Sequence, residues 1–300
     1  MKTPLFTGSG TAIVTPFQNG AVDYGAFRRL IRRQLDRGSD AIIVCGTTGE
    51  AATLTPYERR RLLDEALRET DHRVPVIAGT GSNSTAAAVE LSRDAQSLGA
   101  DGLLVVTPFY NKATQPGLVR HFTAVADAVD VPLILYNVPS RTGVSCTAQT
   151  YAALAAHPNV IGVKEASGNF ALIADTRNLC PEDFYLWSGN DEDTVAICSL
   201  GGVGVISVTA NLIPDDMHRL TALCLAQQYH EASRLQLAMT ALNRALFCEV
   251  NPIPVKTALA HLGLCGDELR LPLTPMQAEN AQRLFSAMDA YGIAPEQAAS

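Results

Sequence analysis

The sequence predicts an α/β fold, a TIM-type (β/α)8 barrel with a C-terminal helical extension, and three observations carry that prediction. Eight short apolar runs rich in valine, isoleucine and leucine recur between residues 11 and 208. Segments of helical length with 3.6-residue apolar spacing separate them, an alternation that means parallel strands joined by crossovers and buried on both faces. The rival, an open doubly wound sheet, calls for a GxGxxG turn after the first strand, and TAIVTPFQNG has none.

Taken in order, the strand runs are TAIVTPF (11–17), AIIVCG (41–46), VPVIAG (74–79), GLLVVTP (102–108), PLILYNVP (132–139), VIGVKE (160–165), FYLWSG (184–189) and GVGVISV (202–208). Helices are expected over Tyr24 to Arg37, Pro56 to Glu69, Thr85 to Leu98 and Gln115 to Val129. Thr55, Pro56 and Glu58 read as N-cap, N1 and N3 of the second; Ser84 and Thr85 can cap the third; Gly38 and Gly99 stop the first and third. The barrel should occupy residues 1–225. Beyond it, strand runs cease and helical segments follow around Gln227 to Phe247, Pro254 to Leu262 and Pro275 to Tyr291. With no flexible linker in sight, residues 226–300 should pack on the barrel.

With 47% apolar residues the chain has ample core material, and its formal charge of -7 argues against a nucleic-acid backbone or an anionic membrane as partner. No apolar run approaches the roughly 18 residues needed to span a bilayer, and the N-terminus lacks a signal-type apolar stretch, so a cytoplasmic location is expected. Seven scattered cysteines without a CxxC pair suggest neither a disulfide framework nor a zinc cluster.

In such a barrel, catalytic groups stand at the C-terminal ends of strands. Lys164 is the anomaly there. It closes a buried strand, where desolvation favours the free amine, a nucleophile for carbonyl carbon; the alternative is a lysine that escapes to solvent or pairs with Glu165. At the second strand end, GTTGE (46–50) offers backbone N–H groups and the Thr47 and Thr48 hydroxyls to a small carboxylate, or is an ordinary turn. Tyr136 could exchange protons beside Lys164 or simply find a buried partner. Arg141, in a loop with Pro139 and Gly143, suits a second carboxylate. Tyr110, beside Phe109, could reach a neighbouring site or subunit, while Gly189 and Ile206 supply close backbone approaches. Together these groups suit Schiff-base chemistry on a keto acid.

The motifs GTTGEAATL, TPFYN, YNVPSRTG, IGVKEASGN, SGND and GVISVTAN together resemble the dihydrodipicolinate synthase and N-acetylneuraminate lyase superfamily of pyruvate-dependent aldolases. YNVPSRTG and EVNPIPVKTALAHLGL (249–264) resemble the dihydrodipicolinate synthase branch more than the sugar-acid lyases. The resemblance implies that Lys164 forms a Schiff base with pyruvate, whose carboxylate rests on Thr47 and Thr48, and that the enamine attacks L-aspartate 4-semialdehyde. It implies a proton relay of Tyr136, Thr47 and Tyr110, the last from a partner subunit, and hence a homo-oligomer, usually a dimer of dimers. Arg141 would bind the semialdehyde's carboxylate, and Ile206 would contribute a backbone carbonyl near the lysine. No metal or organic cofactor is implied.

One departure stands out. Lysine-inhibited members carry an interface site with histidines near positions 56 and 59, a carboxylate near 87 and a tyrosine at 109; here these are Pro56, Arg59, Ala87 and Phe109, with Asn83 retained. Without the carboxylate, and with Arg59 repelling an ammonium, lysine inhibition should be weak or absent. Two other readings stay open at this point: an aldolase or dehydratase acting on a sugar acid, against which Arg141 speaks, and a non-catalytic keto-acid-binding barrel.

Overall fold

A computed structural model describes residues 1–293. Eight parallel strands close into a barrel: β1 (Gly8–Ala12), β2 (Ala41–Val44), β3 (Val76–Gly79), β4 (Gly102–Val106), β5 (Leu133–Asn137), β6 (Val160–Glu165), β7 (Tyr185–Ser188) and β8 (Gly204–Ser207), with β8 pairing back onto β1. Around it run α1 (Tyr24–Asp36), α2 (Pro56–Thr70), α3 (Thr85–Leu98), α4 (Gln115–Ala126), α5 (Ala148–Ala155), α6 (Phe170–Leu179), α7 (Thr194–Ser199) and α8 (Pro214–Leu225). The strands are buried almost throughout because each contacts helices on one side and the barrel interior on the other.

The sequence signals for helix ends operate as expected. Thr55 and Glu58 form a reciprocal capping box at the start of α2, the Ser84 hydroxyl accepts the Ala87 N–H at the start of α3, and Gly99 takes a left-handed conformation after it.

The first strand departs from expectation. It runs from Gly8 to Ala12 instead of from residue 11 to 17, and its glycines are tightly enclosed: a Cβ at Gly8 would lie 2.2 Å from Asp40 Oδ2, and one at Gly10 2.8 Å from Ile43 Cδ1 and Phe6 Cζ. Pro16 cannot donate to the ladder, and Phe17 instead opens a two-residue-turn hairpin with Ala21–Val22, whose Asn19 and Gly20 both have positive φ. The Asn-Gly pair is the sequence signal for that turn.

After α8, the described chain is helical: α9 (Tyr229–Ala238), α10 (Thr240–Leu246), α11 (Ile253–His261) and α12 (Ala278–Tyr291). The single helix expected over 227–247 is broken at Met239, which is fully buried and ends α9. The extension returns to the barrel mouth. Lys256 pairs with Glu50, Asn251 donates to Thr48, and Arg270 pairs with Glu58. The last seven residues of the expected 226–300 region lie outside the described residues.

Candidate active site

Register places the central pair. Tyr136 on β5 and Lys164 on β6 are direct partners across adjacent parallel strands, and Lys164 in turn faces Trp187 on β7. Side chains alternate along β6, so Lys164 enters the barrel while Glu165 points the other way. Glu165 accepts hydrogen bonds from Asn137, from the Tyr151 hydroxyl at 2.8 Å and from the Ser167 N–H. It ties strand to helix layer and takes no part in the site.

Lys164 is 5% exposed, and its Nζ lies 4.4 Å from the centre of the Tyr136 ring. Burial lowers its pKa to about 8; Asp191 opposes that shift and the Arg141 guanidinium adds to it. The lysine is therefore a buried, weakly held cation and not a snorkelling one. Tyr136 is raised above its ordinary value by burial, with Arg141 and the Thr47 hydroxyl pulling it back, so it enters any reaction as a neutral phenol.

Above this pair opens a cavity of about 510 Å3 whose wall includes Thr47, Tyr136 and Arg141, with Cys45, Arg59 and Phe109 further along. Lys164, Thr48, Gly189 and Ile206 are not among the residues that line it. Thr48 is buried and accepts a hydrogen bond from the Asn251 amide at 3.0 Å, leaving its own proton to donate. Ile206 is buried in the barrel interior beside Tyr136 and Trp187. Gly189 follows β7, its N–H donating to the Glu165 carbonyl at 2.7 Å; a Cβ there would lie 2.6 Å from that of Ala166.

Tyr110 is the expected site residue that the chain does not bring to its own mouth. It is 87% exposed on a loop, with φ of 73°. Arg59, by contrast, turns inward: its guanidinium donates to the carbonyls of Gly79 and Ala51 and so braces the loop after β2.

Three contributors escaped the sequence reading. Asp191, in the SGND stretch, is a buried carboxylate held by the Ser207 hydroxyl and the Val208 and Thr209 N–H groups. Asn251 and the Lys256–Glu50 pair come from the extension. A lone lysine inside the apolar stretch PIPVKTALA was the available signal for a buried, partnered charge. Cys45 also lines the cavity, but burial raises its thiol to about 11, which leaves it protonated and inert. Among the described residues no group of three or more histidine, cysteine, aspartate or glutamate side chains could hold a metal ion, and no helix is long and apolar enough to cross a membrane.

Comparisons with known proteins cover nearly the whole chain. Residues 5–291 match the sequence profile of the Dihydrodipicolinate synthetase family. The chain is 50% identical over 294 residues to a 4-hydroxy-tetrahydrodipicolinate synthase of Thermoanaerobacter sp. (strain X514), covering 98% of this chain and 99% of the relative. The crystal structure of dihydrodipicolinate synthase from Thermotoga maritima superposes with a TM-score of 0.96 at 42% identity, over 97% of this chain and 100% of that one. The enzyme from Acinetobacter baumannii, solved in complex with pyruvate, superposes with a TM-score of 0.94, also at 42% identity, over 96% and 99%. With a match along nearly its whole length and relatives at half identity, the chain belongs to the dihydrodipicolinate synthetase family.

Proposed function

We propose that the protein condenses pyruvate with L-aspartate 4-semialdehyde to 4-hydroxy-tetrahydrodipicolinate, the committed chemistry of lysine and diaminopimelate biosynthesis. The observation that carries this reading is the Lys164 amine, buried against the Tyr136 ring with its pKa lowered to about 8. About a tenth of such a group is unprotonated at neutral pH, enough to attack a keto carbon.

The free amine adds to C2 of pyruvate, and the carbinolamine loses water to give an iminium. Pyruvate's carboxylate sits on the loop of Thr47 and Thr48, where two hydroxyls and backbone N–H groups receive it. Tyr136, in hydrogen-bond contact with Thr47, shuttles protons onto and off the carbinolamine oxygen. Loss of a methyl proton gives the enamine, whose carbon attacks the aldehyde of the second substrate. The semialdehyde's own amine then displaces Lys164, closing the ring and freeing the enzyme. Arg141, on the cavity wall, holds the semialdehyde's carboxylate by a forked pair of hydrogen bonds. That second clamp favours the semialdehyde over a polyhydroxylated sugar acid, and Gly189 and Ile206 supply backbone approaches near the lysine.

The exposure and left-handed backbone of Tyr110 support a homo-oligomer in which this tyrosine completes the relay in a partner's mouth, a dimer of dimers being the proposed assembly. A cytoplasmic location accords with seven cysteines that are all free. Reduction with borohydride in the presence of pyruvate, followed by mass spectrometry, should place a pyruvyl adduct on Lys164, and the untreated enzyme should turn over aspartate semialdehyde. Absence of the adduct would refute the mechanism; an adduct without that turnover would reassign the second substrate.

A further inference from the structure

Lys256 is the one charged residue within the helical run of α11, and it is entirely enclosed. Its Nζ stands 2.8 Å from Glu50 Oε1, with side-chain exposures of 0% and 1%. The same ammonium also donates to the Glu268 carbonyl and lies 4.3 Å from the centre of the Phe17 ring. The second carboxylate oxygen of Glu50 accepts the Arg270 N–H at 3.2 Å. The ammonium and both oxygens of the carboxylate are therefore partnered.

Glu50 ends the Thr47–Thr48 loop in a conformation the chain does not favour by itself. Its φ is 52°, in the left-handed region that a non-glycine residue seldom adopts, so the surroundings hold it there. Its own N–H donates to the Thr47 carbonyl at 3.0 Å, which closes the loop into a ring around Thr48. An anchor on Glu50 is thus one hydrogen bond from Thr47. A buried ion pair is a poor source of net stability, since an apolar pair of similar volume does as well, but it is strongly directional.

We propose that the Lys256–Glu50 pair is a positioning device for substrate: the C-terminal extension uses it to hold the 46–50 loop in the shape that receives pyruvate's carboxylate. Neither side chain touches the substrate, and the inference rests on the reading of that loop as the carboxylate seat. Losing the pair relaxes the loop, so pyruvate capture weakens, while the semialdehyde, held by Arg141, is bound as before.

The test is Glu50→Gln, which keeps size and removes charge, and Lys256→Met, each checked for cooperative melting. Read out are the pyruvate concentration for half-maximal borohydride labelling of Lys164 and the KM of both substrates. The expected result is a rise of about tenfold in both pyruvate parameters, with the semialdehyde KM within about twofold of wild type. If the single variants do not fold, Glu50→Gln/Lys256→Met, which buries no charge, carries the same test. A folded variant with wild-type pyruvate dependence, or with both KM values raised equally, overturns the proposal. A wild-type enzyme that forms no pyruvyl adduct on Lys164 refutes the Schiff-base reading on which the proposal rests, so the two failures are distinct.

Discussion

If Lys164 is the nucleophile proposed above, its pKa sets the pH at which the enzyme captures pyruvate. An ordinary lysine near 10.5 is about one part in three thousand free amine at pH 7, whereas at about 8 the fraction is roughly one in ten. The second-order rate of Lys164 labelling by pyruvate with saturating cyanoborohydride should therefore fall about tenfold per pH unit below 7, bend near 8 and level above 9. Two neighbours move the bend in opposite directions. Removing the carboxylate in Asp191→Asn takes away the influence that opposes desolvation, so the bend moves to lower pH; Arg141→Ala removes a repelling cation, so it moves higher. A wild-type bend near 10.5, or a profile unmoved by both substitutions, refutes the assignment of Lys164 as a desolvated nucleophile.

The same shift makes Lys164 costly to the fold. Because its folded pKa lies below the unfolded value, the unfolded state binds more protons between about 8 and 10.5, so the penalty is fully present below 8 and vanishes above 10.5. Lys164→Met should abolish labelling and stabilise the protein by about 3 kcal/mol at pH 7, a gain that denaturant midpoints should show disappearing by about pH 11; equal or lower stability at pH 7 contradicts this. Arg141→Ala should raise the semialdehyde KM by about 10- to 100-fold, the loss of a charge-assisted pair, while leaving the pyruvyl adduct obtainable; an unchanged KM would remove Arg141 from the substrate. L-Lysine at submillimolar concentration should leave turnover unchanged, because Arg59 occupies the cavity wall with its guanidinium committed to Gly79 and Ala51; inhibition in that range sinks this reading.

What could be read from residues alone follows from which forces are local. Strands β2 to β8 announced themselves because both their faces are buried, and the capping box of α2 because Thr55 and Glu58, three residues apart, satisfy each other. Strand β1 did not, since what keeps Gly8 and Gly10 small lies outside the strand, in Asp40, Ile43 and Phe6. Likewise the positions of Lys164 and Tyr136 at strand ends were legible from the strand runs that carry them. Glu50 and Lys256 are 206 residues apart, and Asn251 and Thr48 are 203 apart. Such pairings leave no periodic trace, only an isolated lysine in an apolar helix.

The two halves of the site are held by different means, and that difference matters for where the protein tolerates change. Lys164 and Tyr136 sit on adjacent strands in register, so the barrel's own hydrogen bonds fix their separation. Thr47 and Thr48 sit on a loop with a left-handed Glu50, which has no ladder to hold it and depends on Thr15, Arg59, Asn251 and Lys256 reaching in from four other segments. A small shift in any of these moves the carboxylate seat against a nucleophile that stays put, and misplacement by about 1 Å can cost on the order of a hundredfold in rate. Substitutions that weaken pyruvate capture should therefore be found well outside the mouth, in α2 and the C-terminal extension, whereas those that abolish the nucleophile should cluster on β5 and β6.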